Sequence, residues 1–193
     1  VTLDADLKER MGEQRFLVDD EKNIGYTMKV ERNKDGEIKE SQLLSFKTGK
    51  KADGKCSVVA EDVDVMMGAK DGDIYYLTDM DEGMGDLYCN EELIDSDVMI
   101  GTLEFTKEQK YPIYKTDYNT SKNLFTLKMF DGKNAKVIAD DAFDYKVVDE
   151  KKIAVLVDYD DDDSTGTLKL YRGKDKLIEL DDDVICLFGG MYN

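Results

Sequence analysis

The sequence contains no histidine. That removes the commonest general base, the usual Ser-His and Cys-His nucleophile pairs and the commonest ligand of transition metals. Tryptophan is absent as well, and Pro112 is the single proline. The three cysteines, Cys56, Cys89 and Cys186, stand 33 and 97 residues apart. No CxxC pair occurs, which excludes a zinc knuckle and a thioredoxin-like redox centre. An odd count leaves at least one thiol free, and three unpaired buried thiols are expected. Basic residues are also scarce, with 27 Lys and Arg against 44 Asp and Glu, so the net charge is −17. A surface this negative repels phosphate backbones and anionic lipid, so nucleic acid and direct membrane contact are not expected. Cationic ligands and divalent metals stay open. No apolar run approaches the roughly 18 residues of a membrane span. The chain opens on Val1, and a leader or anchoring helix is expected upstream.

What is present is a repeat. "ELIDSDV" (92–98) is matched by "SVVAEDV" (57–63), "KVIADDA" (136–142), "LIELDDDV" (177–184) and, at the start, "VTLDADL" (1–7). Each is an apolar pair, then acidic residues, then an apolar residue. Their last acidic residues are Asp6, Asp62, Asp97, Asp141 and Asp183, with gaps of 56, 35, 44 and 42 residues. That loose period lies in the range of stacked or circular repeat folds. Other segments recur in the same order. "TLKMFDGK" (126–133) and "TLKLYRGK" (167–174) differ at three of eight positions, with "GDLYCN" (85–90) and "QLLSFKTGK" (42–50) as looser copies. Ahead of them stand "IGYTMKVE" (24–31), "IYYLTD" (74–79), "PIYKTD" (112–117) and "IAVLVD" (153–158). Each is an aromatic or β-branched run ending in an acidic residue, the pattern of a half-buried strand.

Each repeat reads as four strands. The first comes directly after the acidic signature and is strongly apolar: "VDVMMG" (63–68), "VMIGTLEF" (98–105), "AFDYKVV" (142–148) and "VICLFG" (184–189). Turns at Asp71-Gly72 and at Asp149 to Lys152 lead to the second strand, and Asp131-Gly132 and Arg172-Gly173 join the third to the fourth. Helical periodicity is nearly absent; "ADLKERM" (5–11) is the one weak candidate. A sandwich would not require its segments to resemble one another. A four-stranded antiparallel unit of about 40 residues in tandem describes a β-propeller blade. The expectation is one all-β, propeller-like domain over 1–193, with units near 15–62, 63–97, 98–141 and 142–183 and partial strands at both ends. The apolar first strand should be the buried one, lining a central axis. Residues 1–14, a terminal half-blade, should pack less well than the later repeats.

"IYYLTDMDEGMGDLY" and "IAVLVDYDDDDSTGTLKLYRGK" resemble blades of the TolB and prolyl-oligopeptidase type. They are more closely similar to the propeller-like repeats of uncharacterised secreted or membrane-anchored proteins of Gram-positive bacteria. The resemblance implies a binding or gating module whose catalytic residues, if any, lie in another domain. No Gly-x-Ser-x-Gly elbow occurs in the chain. The expected role is a non-catalytic, extracytoplasmic binding or scaffolding domain of a larger bacterial surface protein, with a protein or glycan as ligand.

Two sets of residues carry chemical expectations. The loop after each second strand alternates oxygen ligands: Glu31, Asn33 and Asp35; Asp79 and Asp81; Asp117, Asn119 and Ser121; Asp158, Asp160 and Asp162. Side chains at alternate positions of a tight loop converge as calcium requires, so Asp158, Asp160, Asp162, Asp79 and Asp81 are the candidate calcium ligands. No copy carries the Glu that closes an EF-hand, and acidic loops whose Asp and Asn cap a turn read the same way. The second set is Asp64, Glu104 and Asp144 on the first strands, the carboxylates a glycosidase-like propeller would use. The recurring tyrosines and methionines read as core.

Overall fold

In a computed structural model, residues 16–173 and 177–187 are described. The first signature, "VTLDADL", the helical candidate at 5–11, residues 1–14 and the end of "VICLFG" lie outside them. The described chain is nearly all strand, and its α-helix content is nil. No helix among the described residues is long and apolar enough to cross a membrane. By contacts the chain divides into two compact units, Val1–Ser96 and Asp97–Asn193.

The first unit holds two antiparallel meanders. Strands β1 (Phe16–Asp19), β2 (Ile24–Arg32), β3 (Ile38–Lys47) and β4 (Cys56–Glu61) form one. The other comprises β5 (Val63–Gly68), β6 (Ile74–Asp81), β7 (Met84–Cys89) and β8 (Glu92–Met99). Met28 and Leu43 of the first meander share a core with Val63, Met66, Ile74 and Tyr76 of the second.

In the second unit, β9 (Glu104–Phe105), β10 (Pro112–Asn119), β11 (Leu124–Phe130), β12 (Ala135–Asp149), β13 (Lys152–Asp160), β14 (Thr165–Tyr171) and β15 (Ile178–Val184) form one sheet of seven strands. It is two four-stranded blades sharing β12. Ala142 marks the hand-over, opposite Phe125 of β11 on one side and Val157 of β13 on the other. The sequence leads one to expect a fresh sheet at residue 142; instead the outer strand of one blade runs on as the inner strand of the next. These four-stranded up-and-down sheets are the blade architecture of a propeller-like, all-β fold.

The acidic signatures turn out to be backbone devices. Asp62, Asp97, Asp141 and Asp183 all have left-handed backbones, with φ between 47° and 56°. Aspartate tolerates that region because its short side chain bonds locally, whereas most residues lose about 1–2 kcal/mol there. Each stands at or near the end of a blade's last strand.

Two expectations are corrected. Residues 98–105 are not one apolar strand, because Gly101 (φ +75°) turns the chain and Thr102 bonds back to the Met99 carbonyl through both its amide and its hydroxyl. Val98 and Met99 therefore end β8, and β9 is left with two residues. Nor is the first strand of each blade the most buried. That place belongs to the second: five consecutive residues, Ile74 to Thr78, are buried in β6, as are Ile153, Val155, Leu156 and Val157 in β13. A second strand has a hydrogen-bonded neighbour on each side, whereas a first strand that begins a sheet has one edge open.

The hairpin at Asp131-Gly132 behaves as its residues require, with Gly132 at φ +89°. Asp131 Oδ1 accepts from the Lys133 and Asn134 amides, and Lys136 Nζ lies 2.6 Å from Oδ2. The Lys136 ammonium, and next the Asn134 amide, hold the Asp131 carboxyl down to about 2. A depressed carboxyl stabilises the fold fully above its unfolded value near 4, and that share fades as the pH falls towards 2. In Asp131→Asn the stability difference from wild type should shrink across this window. It should stay below about 1 kcal/mol, because the pair is solvent-screened. Acid unfolding of the two proteins, compared point by point, measures it; a constant difference from pH 6 to pH 2 would sink the assignment.

Candidate functional site

Register exposes a break in the repeat. On the third strand of each blade a leucine, Leu43, Leu87, Leu127 or Leu168, faces one residue of the second strand. Those partners are Met28, Leu77, Lys115 and Leu156. Met28 is 7% exposed, and Leu77 and Leu156 are fully buried. Lys115 thus occupies a core position. Two residues before the leucine stand Ser41, Gly85 and Gly166, but Phe125 in Lys115's own blade. At Gly166 an added Cβ would meet Leu156 Cδ1 at 3.2 Å and Val157 O at 2.8 Å. Three blades keep this place small, and the blade that lost its apolar partner carries a phenyl ring.

The two exchanges are coupled in space. Lys115 Nζ lies 3.9 Å from the centroid of Phe125 and 5.4 Å from that of Tyr145, on the neighbouring half of β12. The two rings meet edge to face at 6.1 Å. Thr102 Oγ1 accepts from the Lys115 amide, tying the Gly101 turn to β10. Lys115, Tyr145 and Thr102 line a cleft of about 450 Å³ with Gly101, Leu103, Glu104, Lys146 and Val147. Burial pushes the Lys115 amine below its ordinary range, while Asp144 and Glu104 oppose the shift. Burial, and next the Glu104 charge, lifts the Tyr145 phenol well above its own. A positive charge packed on two rings, with the Asp144 and Glu104 charges acting on it, can bind and orient a polar ligand.

Of the three first-strand carboxylates, Glu104 lines this cleft, and Asp144 acts on the Lys115 amine only through its charge. Asp64 belongs to the first unit, in a separate groove with Asp62, Asp79 and Glu40. Its carboxyl is raised by burial and by Asp62. The sequence reading does not single out Lys115, although "PIYKTD" beside "IYYLTD" and "IAVLVD" displays the exchange directly.

Of the candidate calcium ligands, the carboxylates of Asp79, Asp158 and Asp160 are engaged within their own blade. Asp79, Asp117 and Asp158 have left-handed backbones at register breaks in β6, β10 and β13. Asp79 Oδ2 accepts from the buried Thr78 hydroxyl at 2.9 Å, and Asp117 accepts likewise from Thr116. Asp158 pairs with Lys169 at 2.9 Å. Asp160 Oδ1 accepts from the Asp162 amide, and Asp81 faces Met84 across the Glu82-Gly83 turn. Among the described residues no three His, Cys, Asp or Glu side chains gather as a metal site.

No family model matches this chain, and no curated protein matches it. Solved structures do. An acylaminoacyl peptidase in complex with Z-Gly-Gly-Phe-chloromethyl ketone aligns at TM-score 0.46 and 11% identity, covering 85% of this chain and 32% of the other. A prolyl oligopeptidase B from Galerina marginata, bound to a 25mer macrocyclization substrate, gives 0.44 and 11%, covering 86% and 27%. A eukaryotic initiation factor gives 0.41 and 11%, covering 82% and 43%. The chain thus spans less than half the length of each.

The thiols differ from expectation. Cys89 is buried, but Cys56 is exposed and Cys186 half-buried, all three unpaired. Cys56 sits at the start of an outer strand whose first three residues are all exposed. Burial drives the Cys89 thiol up to about 11. At pH 8 iodoacetamide should therefore label Cys56 readily and leave Cys89 untouched until denaturant is added. Labelling of Cys89 at the Cys56 rate in the native protein would refute its burial.

Proposed function

We propose that this chain is a non-catalytic binding or scaffolding domain of a larger bacterial surface protein, working outside the cytoplasm. The Lys115 cleft is its contact site. One observation carries the reading: an otherwise regular packing rule is broken at a single position, and the break puts an ammonium and two rings beside a cleft. Positions that contradict local packing without structural gain are where function is expected. A thermal-shift panel of peptides and oligosaccharides on wild type and Lys115→Leu tests the binding role, and stabilisation confined to wild type is expected. Labelling intact cells through Cys56 with a membrane-impermeant maleimide tests the location. A domain labelled only after lysis would end that part of the reading.

The second reading is a glycosidase-like propeller, favoured by Glu104 in the cleft and by Asp144, whose charge also acts on Lys115. Incubation with oligosaccharides should release no reducing ends. Release that Glu104→Gln abolishes would establish the enzyme instead.

Calcium at Asp158, Asp160 and Asp162 would have to displace Lys169 from Asp158. Millimolar calcium against chelator should leave the melting temperature unmoved. A rise that Asp160→Asn removes would establish the ion.

A further inference from the structure

We infer that the Lys115 cleft takes a sugar bearing a carboxylate, a hexuronic acid or a residue of the same chemistry. The inference rests on the binding reading above. Among the described residues the Lys115 ammonium has neither an ion-pair partner nor a hydrogen-bond acceptor; it packs on the rings of Phe125 and Tyr145, and the Asp144 and Glu104 charges reach it without a direct contact. A half-buried cation packed on rings and lacking an acceptor is poised for an anion that brings its own oxygens. A bare anion would leave the rest of the cleft unused. Tyr145 lines the cleft, and a tyrosine ring is the kind of surface on which the C–H face of a pyranose lies. Glu104 and the turn at Gly101, Thr102 and Leu103 supply acceptors and backbone groups for hydroxyls. Glu104 would also repel a compact, multiply charged anion such as phosphate, whereas a uronate carries one charge and several hydroxyl donors. A volume of about 450 Å³ lies in the range of small-ligand sites.

The test is amide chemical-shift mapping of this chain with sodium glucuronate, glucose and inorganic phosphate, on wild type, Lys115→Leu and Lys115→Arg. Leucine is what two other blades carry at this position, so the fold should persist, and spectra away from the cleft will show it. Glucuronate is expected to shift the amides of residues 101–104, 115 and 145. Its affinity should exceed that of glucose by about tenfold or more, the value of one charge-assisted contact. Lys115→Leu should abolish the response and Lys115→Arg should keep part of it. Equal binding of glucose or phosphate, or shifts that survive Lys115→Leu, overturns the acidic-sugar assignment and leaves a binding domain of other specificity. A cleft silent to all three probes also overturns the assignment; silence to the wider panel above takes the binding reading with it.

Discussion

Leu127→Ala should destabilise the second unit by about 2–5 kcal/mol, and Leu168→Ala by clearly less. Leu127 is fully buried in a core with Ile113, Phe125, Met129, Ile138, Ile153 and Val155. Its strand is laddered on both sides, to β10 and to β12, so the walls of the cavity left by truncation cannot close. Leu168 occupies the corresponding place in the next blade but is only half-buried, so water refills part of what is removed. Against a typical total of about 5–15 kcal/mol, the first loss is large. The chain has two units, so a single melting curve is a poor measure. Hydrogen exchange of amides in β10, β11 and β13 reports the right one. Equal costs at the two leucines would mean that burial does not set the difference.

The four-stranded repeats were legible because a period of 2 within each strand and a period near 40 between signatures pointed the same way. The hairpin glycines were legible for a local reason, since Gly132 and Gly173 supply the positive φ that a tight turn requires. Residues 98–105 misled because their apolar run spans a turn whose cause is a hydroxyl, that of Thr102, bonding to Met99. The acidic signatures and the acidic ends of the second strands were visible as patterns, but their cause was not. In sequence, Asp79 or Asp158 looks like a metal ligand or a solvated loop. Left-handed φ is a property of the backbone, and aspartate is among the few side chains that permit it. The same carboxylates then serve their own blade, as Asp79 does with Thr78 and Asp158 with Lys169. The fusion of two blades through β12 left no trace, because "KVIADDAFDYKVV" reads identically whether the chain turns at Asp141 or continues past it. The candidate site was half legible. Glu104 and Asp144 stood out as charges on apolar strands; the Lys115 exchange is visible in the aligned repeats, but what it replaces is shown only by the register that pairs it with Leu127.

That anomaly has a thermodynamic signature. Lys115→Leu should stabilise the protein by about 1 kcal/mol. Burying a leucine side chain contributes roughly 1.5–3 kcal/mol. The loss of the ammonium's contact with Phe125 offsets part of this, at about 0.5–2 kcal/mol. The sign of the pH dependence is fixed as well. Burial lowers the Lys115 amine below its ordinary 10.5, so the folded protein releases this proton before the unfolded chain does. Wild type therefore gains stability relative to the variant as pH rises from that lowered value to 10.5, and the advantage of leucine should narrow over the same interval. The elevated Tyr145 and Tyr75 phenols act in the opposite direction, but they are common to both proteins and cancel in the difference. Phe125→Gly alone should destabilise by opening the space beneath Lys115, and less so when combined with Lys115→Leu, which reproduces the packing of Leu156 against Gly166 in the next blade. The double-mutant cycle should give a coupling of about 0.5–3 kcal/mol. Urea unfolding of the four proteins at pH 7, and of wild type and Lys115→Leu at pH 10, decides the matter. A Lys115→Leu protein less stable than wild type, or a cycle without coupling, would make Lys115 an ordinary structural contact and remove the ground for treating its cleft as a site.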